Sequence, residues 1–511
     1  MTSSSRAVFI AALLASPVMS ITAQRGGQPA AAAAAPPPNP CTVETMQPGP
    51  LGIAYFQRQK LVGAKTPDDA MKAIKDAMKA IFDDKNKSNP VGRDYVLAQF
   101  LVLGGEYGTV QTRGNLGMPG DKNANVDLVV AIDSLLTIVE KAVPGCANET
   151  GQWRELKPYQ ALVQGAYAAI KAQNPDSAEK LVKRAQILSK AGAQTYDVLW
   201  QIARARNDEA GQVANLQIAA DKLIGDTLNA GVRANFLFTL GRLQQDFADK
   251  KPDKAAKAQQ EREAAKSFMA VVREFPGAEE TPFALQGISI AMTQSSDTSI
   301  AIAAVELVKG NIAKYNDVTL AQTGVVATRA GKTPDAVLLF DAASKANPYS
   351  RDYAYNLAAM LYEAKRSSEM LPVVKRLVAL DPSNGDNILL FAFAFKGLSD
   401  AETNAATKKA LIDSVNYYGK VADDMAQVHK LVYTEFDRLK DKTILAGQVE
   451  NHGKAARTFT IDFEFLGKDG SVIGKQTATV KDVKPNGVGD FSVELPMGGA
   501  MGVRYAALPM K

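Results

Sequence analysis

The side chains that most often do chemistry near neutral pH are scarce in this chain. Histidine and cysteine occur twice each in 511 residues, as His429 and His452, Cys41 and Cys146. A zinc site or a Ser-His-Asp arrangement needs a histidine close to its other members. His429 falls on a stretch read as a polar helix and His452 in the turn Asn451-His452-Gly453, so both are expected at the surface. Either kind of site would then have to assemble across domains. Gly331-Lys332-Thr333 ends like a phosphate-binding loop, but the glycine required upstream falls at Val326 and no strand pattern precedes it. It reads instead as the turn into a helix that starts Thr-Pro-Asp. Asn148-Glu149-Thr150 matches a glycosylation sequon, a match too short to imply a host that uses it. The acidic pairs Asp83-Asp84 and Asp423-Asp424 lie on polar helical segments and read as solvated charge. No catalytic set, metal ligand set or cofactor loop emerges, and the chain is read as a non-enzyme.

The remaining chemistry is that of the thiols. Arg6, the apolar stretch Ala7–Ala23 and the small residues before Gln24 read as a signal peptide over 1–23, too short and proline-broken to span a membrane. Residues 24–50 are an Ala/Pro-rich linker, with Ala30–Ala35 followed by three prolines. Export implies a periplasmic or extracellular location, where Cys41 and Cys146 are expected to form a disulfide. Two inert thiols are the alternative. The bond would close a loop with 104 residues between its ends, for which chain entropy allows up to about 5 kcal/mol. The net charge is +5, and with 1–41 and 443–511 set aside the middle holds 49 basic and 47 acidic residues. That scatter excludes the basic footprint of a nucleic-acid binder, and no later segment has the apolar length of a membrane span.

The elements that must position any binding surface show an internal beat. Pro348 and Pro382 stand 34 residues apart, each closing a pair of helical patterns. In 317–350 the small or apolar marks are Leu320, Gly324, Ala327, Ala336, Phe340 and Ala343; in 351–384 they are Ala354, Leu357, Ala358, Leu361, Met370, Val374 and Leu377. Weaker copies lie at 159–192 and about 234–276, the latter with extra residues near Lys250–Gln260 that lengthen its helices, and a further copy begins at 385. This spacing resembles the tetratricopeptide repeat. A lone helix pair cannot bury its apolar side, so such pairs stack into a solenoid with a long concave face. The repeats are assigned to 159–442 and a less regular helical region to 51–158, where a glycine-rich loop over 104–120 reads as a spacer. Ala422–Lys440 is expected to be a capping helix.

From 443 to 511 the pattern switches to period two. Phe459, Ile461, Phe463 and Phe465 alternate with polar residues, Asp469-Gly470 makes a hairpin turn, and three further short strands follow or precede. Gly447–Asn451, Phe463-Glu464-Phe465, Asp469-Gly470 and Pro485 resemble the FxLYD-type immunoglobulin-like domain of bacterial envelope proteins, without the Leu-Tyr-Asp itself. The expected fold is therefore mainly α, a tetratricopeptide-like right-handed α-solenoid with a small C-terminal antiparallel β-sandwich.

The repeat resemblance implies an exported, non-catalytic scaffold or adaptor that holds a protein or peptide of the cell envelope in its groove. Carried over by repeat position, the groove residues are Asp352, Tyr355, Asn356, Ala359 and Tyr362, then Asp386, Leu389, Phe393 and Lys396. Aromatic groups there would supply contact area, and Asn356 and Lys396 could meet carbonyls or carboxylates. Packing against a neighbouring helix is the equal alternative for Phe393, because Phe391, Phe393 and Phe395 alternate and cannot share one face. Two other functions remain open: a carboxylate-dependent hydrolase or carbohydrate-processing protein, and a solute-binding protein with a cavity between solenoid and sandwich. No cofactor is implied.

Overall fold

The computed structural model describes residues 41–43, 50–64, 66–190 and 192–510. The expected signal peptide and most of the expected linker lie outside the described residues. The N-terminal region is α1 (Pro50–Val62), α2 (Pro67–Ile81), α3 (Pro90–Gly104), β1 (Val110–Thr112), α4 (Arg113–Leu116), β2 (Asn125–Asp127), α5 (Leu128–Ala142) and α6 (Ala147–Arg154). Seven helix hairpins follow: α7 (Lys157–Lys171) with α8 (Pro175–Leu188), α9 (Ala193–Ala205) with α10 (Glu209–Asp221), α11 (Ala230–Asp249) with α12 (Lys254–Glu274), α13 (Glu280–Ser295) with α14 (Ser299–Lys309), α15 (Asp317–Arg329) with α16 (Thr333–Ala346), α17 (Arg351–Glu363) with α18 (Ser367–Leu380), and α19 (Gly385–Ala401) with α20 (Ala405–Ala426). The chain ends in β3 (His429–Arg438), β4 (Thr443–Asn451), β5 (Arg457–Leu466), β6 (Val472–Val483), β7 (Gly487–Leu495) and β8 (Gly502–Tyr505).

Local signals explain the helix starts. Asn174, Asn316, Ser350, Asn384 and Asn404 each accept a hydrogen bond from an early amide of the helix they precede. Prolines open α2, α3 and α8, where the missing N–H is unneeded. Gly331 makes the turn between α15 and α16 with φ 70°, a conformation that favours glycine over any side chain. The repeat marks Leu320, Gly324, Ala327, Ala336, Phe340 and Ala343 are all buried. Gly324 is small for a visible reason: a Cβ there would lie 2.8 Å from the Phe340 ring. Phe268 is closer still to Gly241 and Gly287, where an added Cβ would lie 2.6 Å and 2.4 Å from its ring, wedged between two first helices. A phenylalanine on the second helix thus fills the hollow left by glycine on the first. Stacking the hairpins makes one continuous apolar seam from Leu216 to Ala394.

The expected spacer over 104–120 is more structured than its glycines imply. β1 and β2 form a small antiparallel ribbon, and between them α4 drives Leu116 into the N-terminal core with no exposed surface. Cys41 and Cys146 are joined by a disulfide that ties the entry of the chain to that core.

The sandwich is two three-stranded antiparallel sheets, ordered β3-β4-β7 and β6-β5-β8. Phe459, Ile461, Phe463 and Phe465 point inward as their alternation requires, and Gly470 makes the β5–β6 turn with φ 83°. The expected capping helix over 422–440 is wrong in its second half. The helix stops at Ala426 and His429–Arg438 is a strand paired along β4. Gln427-Val428 offers no glycine or proline to mark the change, so the helical pattern runs on by eye into Leu431-Val432-Tyr433, which are good strand formers.

A buried polar joint fixes the sandwich to the loop edge of the solenoid. Asp381 is fully buried and accepts hydrogen bonds from the Tyr505 hydroxyl, from Arg351 Nη1 at 3.0 Å and from Asn387 Nδ2 at 2.9 Å. Burial and the Asp381 carboxylate push the Tyr505 phenol well above its ordinary pKa, which keeps it a donor. Arg351 also lies over the Tyr433 ring at 4.1 Å. Asn347 Nδ2 donates to the Met501 carbonyl at 2.8 Å, and Arg438 pairs with Asp317 at 2.9 Å. The short connection between helix and strand is therefore not what holds the two parts together; this joint is.

Candidate functional site

The first helices of the last hairpins set side by side the residues that repeat position points to. On α17, Tyr355 is 41% and Tyr362 38% exposed, large values for aromatic rings in a folded chain. Tyr362 stacks on Phe393 of α19 with ring centroids 5.1 Å apart. Phe391 and Phe395 face the other way and stack on Tyr418 of α20. A two-residue step on a helix turns about 200°, so the alternating phenylalanines split between the hairpin core and the outer face. The packing reading of Phe393 is observed: it packs on a neighbouring helix, and it remains half-exposed on the surface that joins α17 to α19.

The polar candidates behave differently. Asn356 is half-buried on α17 beside Tyr355. Asp352 is exposed and accepts from Arg351 Nε at 3.0 Å. Lys396 pairs with Asp400 one turn on, at 3.0 Å. Asp386 pairs with Lys430 of the sandwich at 3.4 Å, so it borders the joint more than the groove. An open cleft of about 580 Å³ lies between α19 and α20, with Leu389, Ala392, Phe393 and Lys396 on one wall and Val415, Gly419 and Asp423 among those on the other. Sequence reasoning found the α19 wall but missed the α20 wall, because the second helix of that repeat is displaced along the chain.

A second open cleft, about 610 Å³, lies at the N-terminal end and is lined by Arg58, Asn148, Glu149, Gln152, Trp153 and Leu156. The sequon residue Thr150 is wholly buried, with its hydroxyl donating to Glu140 at 2.7 Å.

Only one histidine stands where the sequence places it. His429 is not on a surface helix but inward-facing on β3 and 1% exposed, because it falls in step with the period-two pattern of Leu431. Its two ring nitrogens have no hydrogen-bond partner. Burial, then the nearby Arg457 and His452, lowers its pKa to about 4, so the ring is neutral at pH 7. His452 does lie in its turn, with its ring nitrogens 2.6 Å from the Ala426 carbonyl and 2.9 Å from the Glu450 carboxylate. Among the described residues, two carboxyls are held above their ordinary range, Glu261 by burial and Glu435 by sharing a hydrogen bond with Asp437. They lie on different parts of the molecule and line neither cleft. Among the described residues, no group of three or more His, Cys, Asp or Glu side chains could hold a metal ion, and no helix is long and apolar enough to cross a membrane.

No family model matches the chain, and no curated protein matches it. Solved structures do. A tetratricopeptide repeat protein from Parabacteroides merdae is 15% identical over 50% of this chain and 98% of its own, with a TM-score of 0.24. Pseudomonas aeruginosa pilF is 14% identical over 52% of this chain and 89% of its own, with a TM-score of 0.20. The TPR2AB domain of yeast Sti1, solved as a complex with pHSP90, is 14% identical over 53% of this chain and 96% of its own, with a TM-score of 0.21. At these scores the overlays carry nothing about partner or role; the helix-by-helix packing above stands without them.

Proposed function

We propose that this protein is an exported, non-catalytic scaffold whose solenoid holds a protein or peptide partner on the face formed by α17 and α19. The observation that carries the reading is the aromatic line of exposed Tyr355 and Tyr362 and half-exposed Phe393, set on rigid helices with Asn356 beside it. Rigid aromatic groups give large contact area at little entropic cost, and an amide next to them suits peptide carbonyls. The leader pattern and the Cys41–Cys146 bond support a periplasmic or extracellular location, where an envelope protein is the expected partner. The resemblance of the sandwich to FxLYD-type domains belongs to the same reading. The carboxylate-hydrolase alternative is not favoured, since the two raised carboxyls do not share a cleft.

The test is capture from envelope extract by the mature chain and by a Tyr355→Ala/Tyr362→Ala/Phe393→Ala variant of unchanged helicity. Loss of the captured protein from the variant alone supports the groove. Retention of every captured protein sinks it.

A further inference from the structure

The last helix of the solenoid is built as if something covers its open face, part of which lines the cleft shared with α19. Of its 22 residues only Ala422 and Met425 are buried. Ile412 is 43% exposed and Tyr417 63%. Gly419 sits in the helix interior, where glycine costs stability relative to alanine, yet nothing lies within 4 Å of the position its Cβ would take. Gly241, Gly287 and Gly324 of the inner hairpins face a ring; this one faces open space.

We propose that α20 is a self-association helix on which a second copy of the chain docks antiparallel about a two-fold axis at Asn416. Lys409, Ile412, Asn416, Gly419 and Asp423 follow the alternating three- and four-residue spacing of a single helical stripe. The stripe is symmetric about Asn416 in order and opposite in charge. Lys408 and Lys409 lie toward one end, Asp423 and Asp424 toward the other. Among the described residues Lys409 and Asp423 make no ion pair, whereas Lys420 takes Asp424 at 2.8 Å. Antiparallel pairing sets Lys409 of each copy against Asp423 of the other and lays Ile412 over the bare backbone at Gly419. The two Asn416 amides meet at the axis, where each can donate to the other. A C2 contact of this kind uses one patch twice; because Asn416, Gly419 and Asp423 share a cleft with Phe393 and Lys396 of α19, it closes that end of the groove and leaves Tyr355 and Tyr362 uncovered on both copies. Two grooves would then be carried by one particle, which raises avidity for a repeated or dimeric partner.

The test reads mass, not partner capture, so its failure is distinguishable from failure of the groove reading. Light scattering behind size exclusion should give a mass that doubles as the mature chain is concentrated. Lys409→Glu and Asp423→Lys should each remain at monomer mass over that range. An equimolar mixture of the two variants should recover the doubled mass. In the mixed pair the acid introduced at position 409 of one chain meets the base introduced at position 423 of the other. The second contact keeps its native Asp423 and Lys409, so both are again between opposite charges. Asn416→Cys should form a covalent dimer on mild oxidation, since the native cysteines are already bonded to each other. A wild-type chain that stays monomeric, single swaps that leave the doubled mass intact, or a mixture that fails to pair would each overturn the proposal. So would a helix from another protein covering the same stripe while the chain alone stays monomeric.

Discussion

The hairpins α17/α18 and α19/α20 come from the same repeat and end in opposite conditions. The first has neighbours on both sides and the sandwich along its edge. It buries Ala354, Leu357, Ala358 and Leu361 on one helix and Met370, Val374, Leu377 and Leu380 on the other. The second has a neighbour on one side only, and its outer helix contributes little more than Ala422 and Met425 to a small apolar patch with Ile388. Similar local patterning therefore yields a core where the stack continues and a bare face where it stops. In a quasi-one-dimensional fold the stability of a unit belongs to its interfaces.

The greatest loss should come from unfastening the closed hairpin. Asp381→Ala removes the buried partner of a half-buried Arg351 and the acceptor of Tyr505. It should lower the stability of the full chain by about 3–5 kcal/mol, read as a lower denaturant midpoint. An unchanged midpoint would mean that the joint is not what closes that edge.

Acid should destabilise the sandwich from within. His429 titrates at about 4 in the fold, with Arg457 and His452 facing it, against an ordinary value of 6.5. Below pH 6.5 the unfolded chain binds a proton that the folded chain refuses. Stability therefore falls as pH drops from 6.5 to 4, by about 3 kcal/mol in all, and this contribution is flat outside that window. His429→Leu should flatten the profile there and cost nothing at pH 7, since neither ring nitrogen has a partner to lose. An unaltered acid profile in the variant would assign the effect elsewhere.

One substitution made twice separates the two hairpin conditions. Gly324→Ala thrusts a methyl into Phe340 and should destabilise by about 1–3 kcal/mol. Gly419→Ala meets nothing and should stabilise the monomer by about 0.5–1 kcal/mol. Thermal or denaturant unfolding of the two variants reads the signs directly, and equal signs would contradict the distinction between closed and open hairpins.

Much of this is legible in the sequence wherever a residue's local pattern and its final packing agree. The 34-residue beat places the hairpins of 317–384, the extra residues near Lys250 lengthen α11 and α12 to 20 and 21 residues, and alternation places β5. The pattern misleads where one type of residue serves two purposes. His429 looks polar and is used as an apolar side chain. Leu116 looks like part of a loop and plugs a core, because the packing that recruits it comes from helices elsewhere along the chain. Asp386 fits a groove position by repeat count but is drawn to Lys430, a residue on a strand whose sequence reads as helix. The Asp381 joint carries no short-range mark at all: its partners Tyr505 and Arg351 are distant in sequence, and only the docked sandwich brings them together.

If each hairpin is held by its neighbours and the stack is open at its last helix, hydrogen exchange on the monomeric chain will show it. The amides of α17 and α18 should exchange only through near-global unfolding, while those of α20 from Ala405 to Tyr417 exchange orders of magnitude faster. Uniform protection across α17, α18 and α20 would refute that picture.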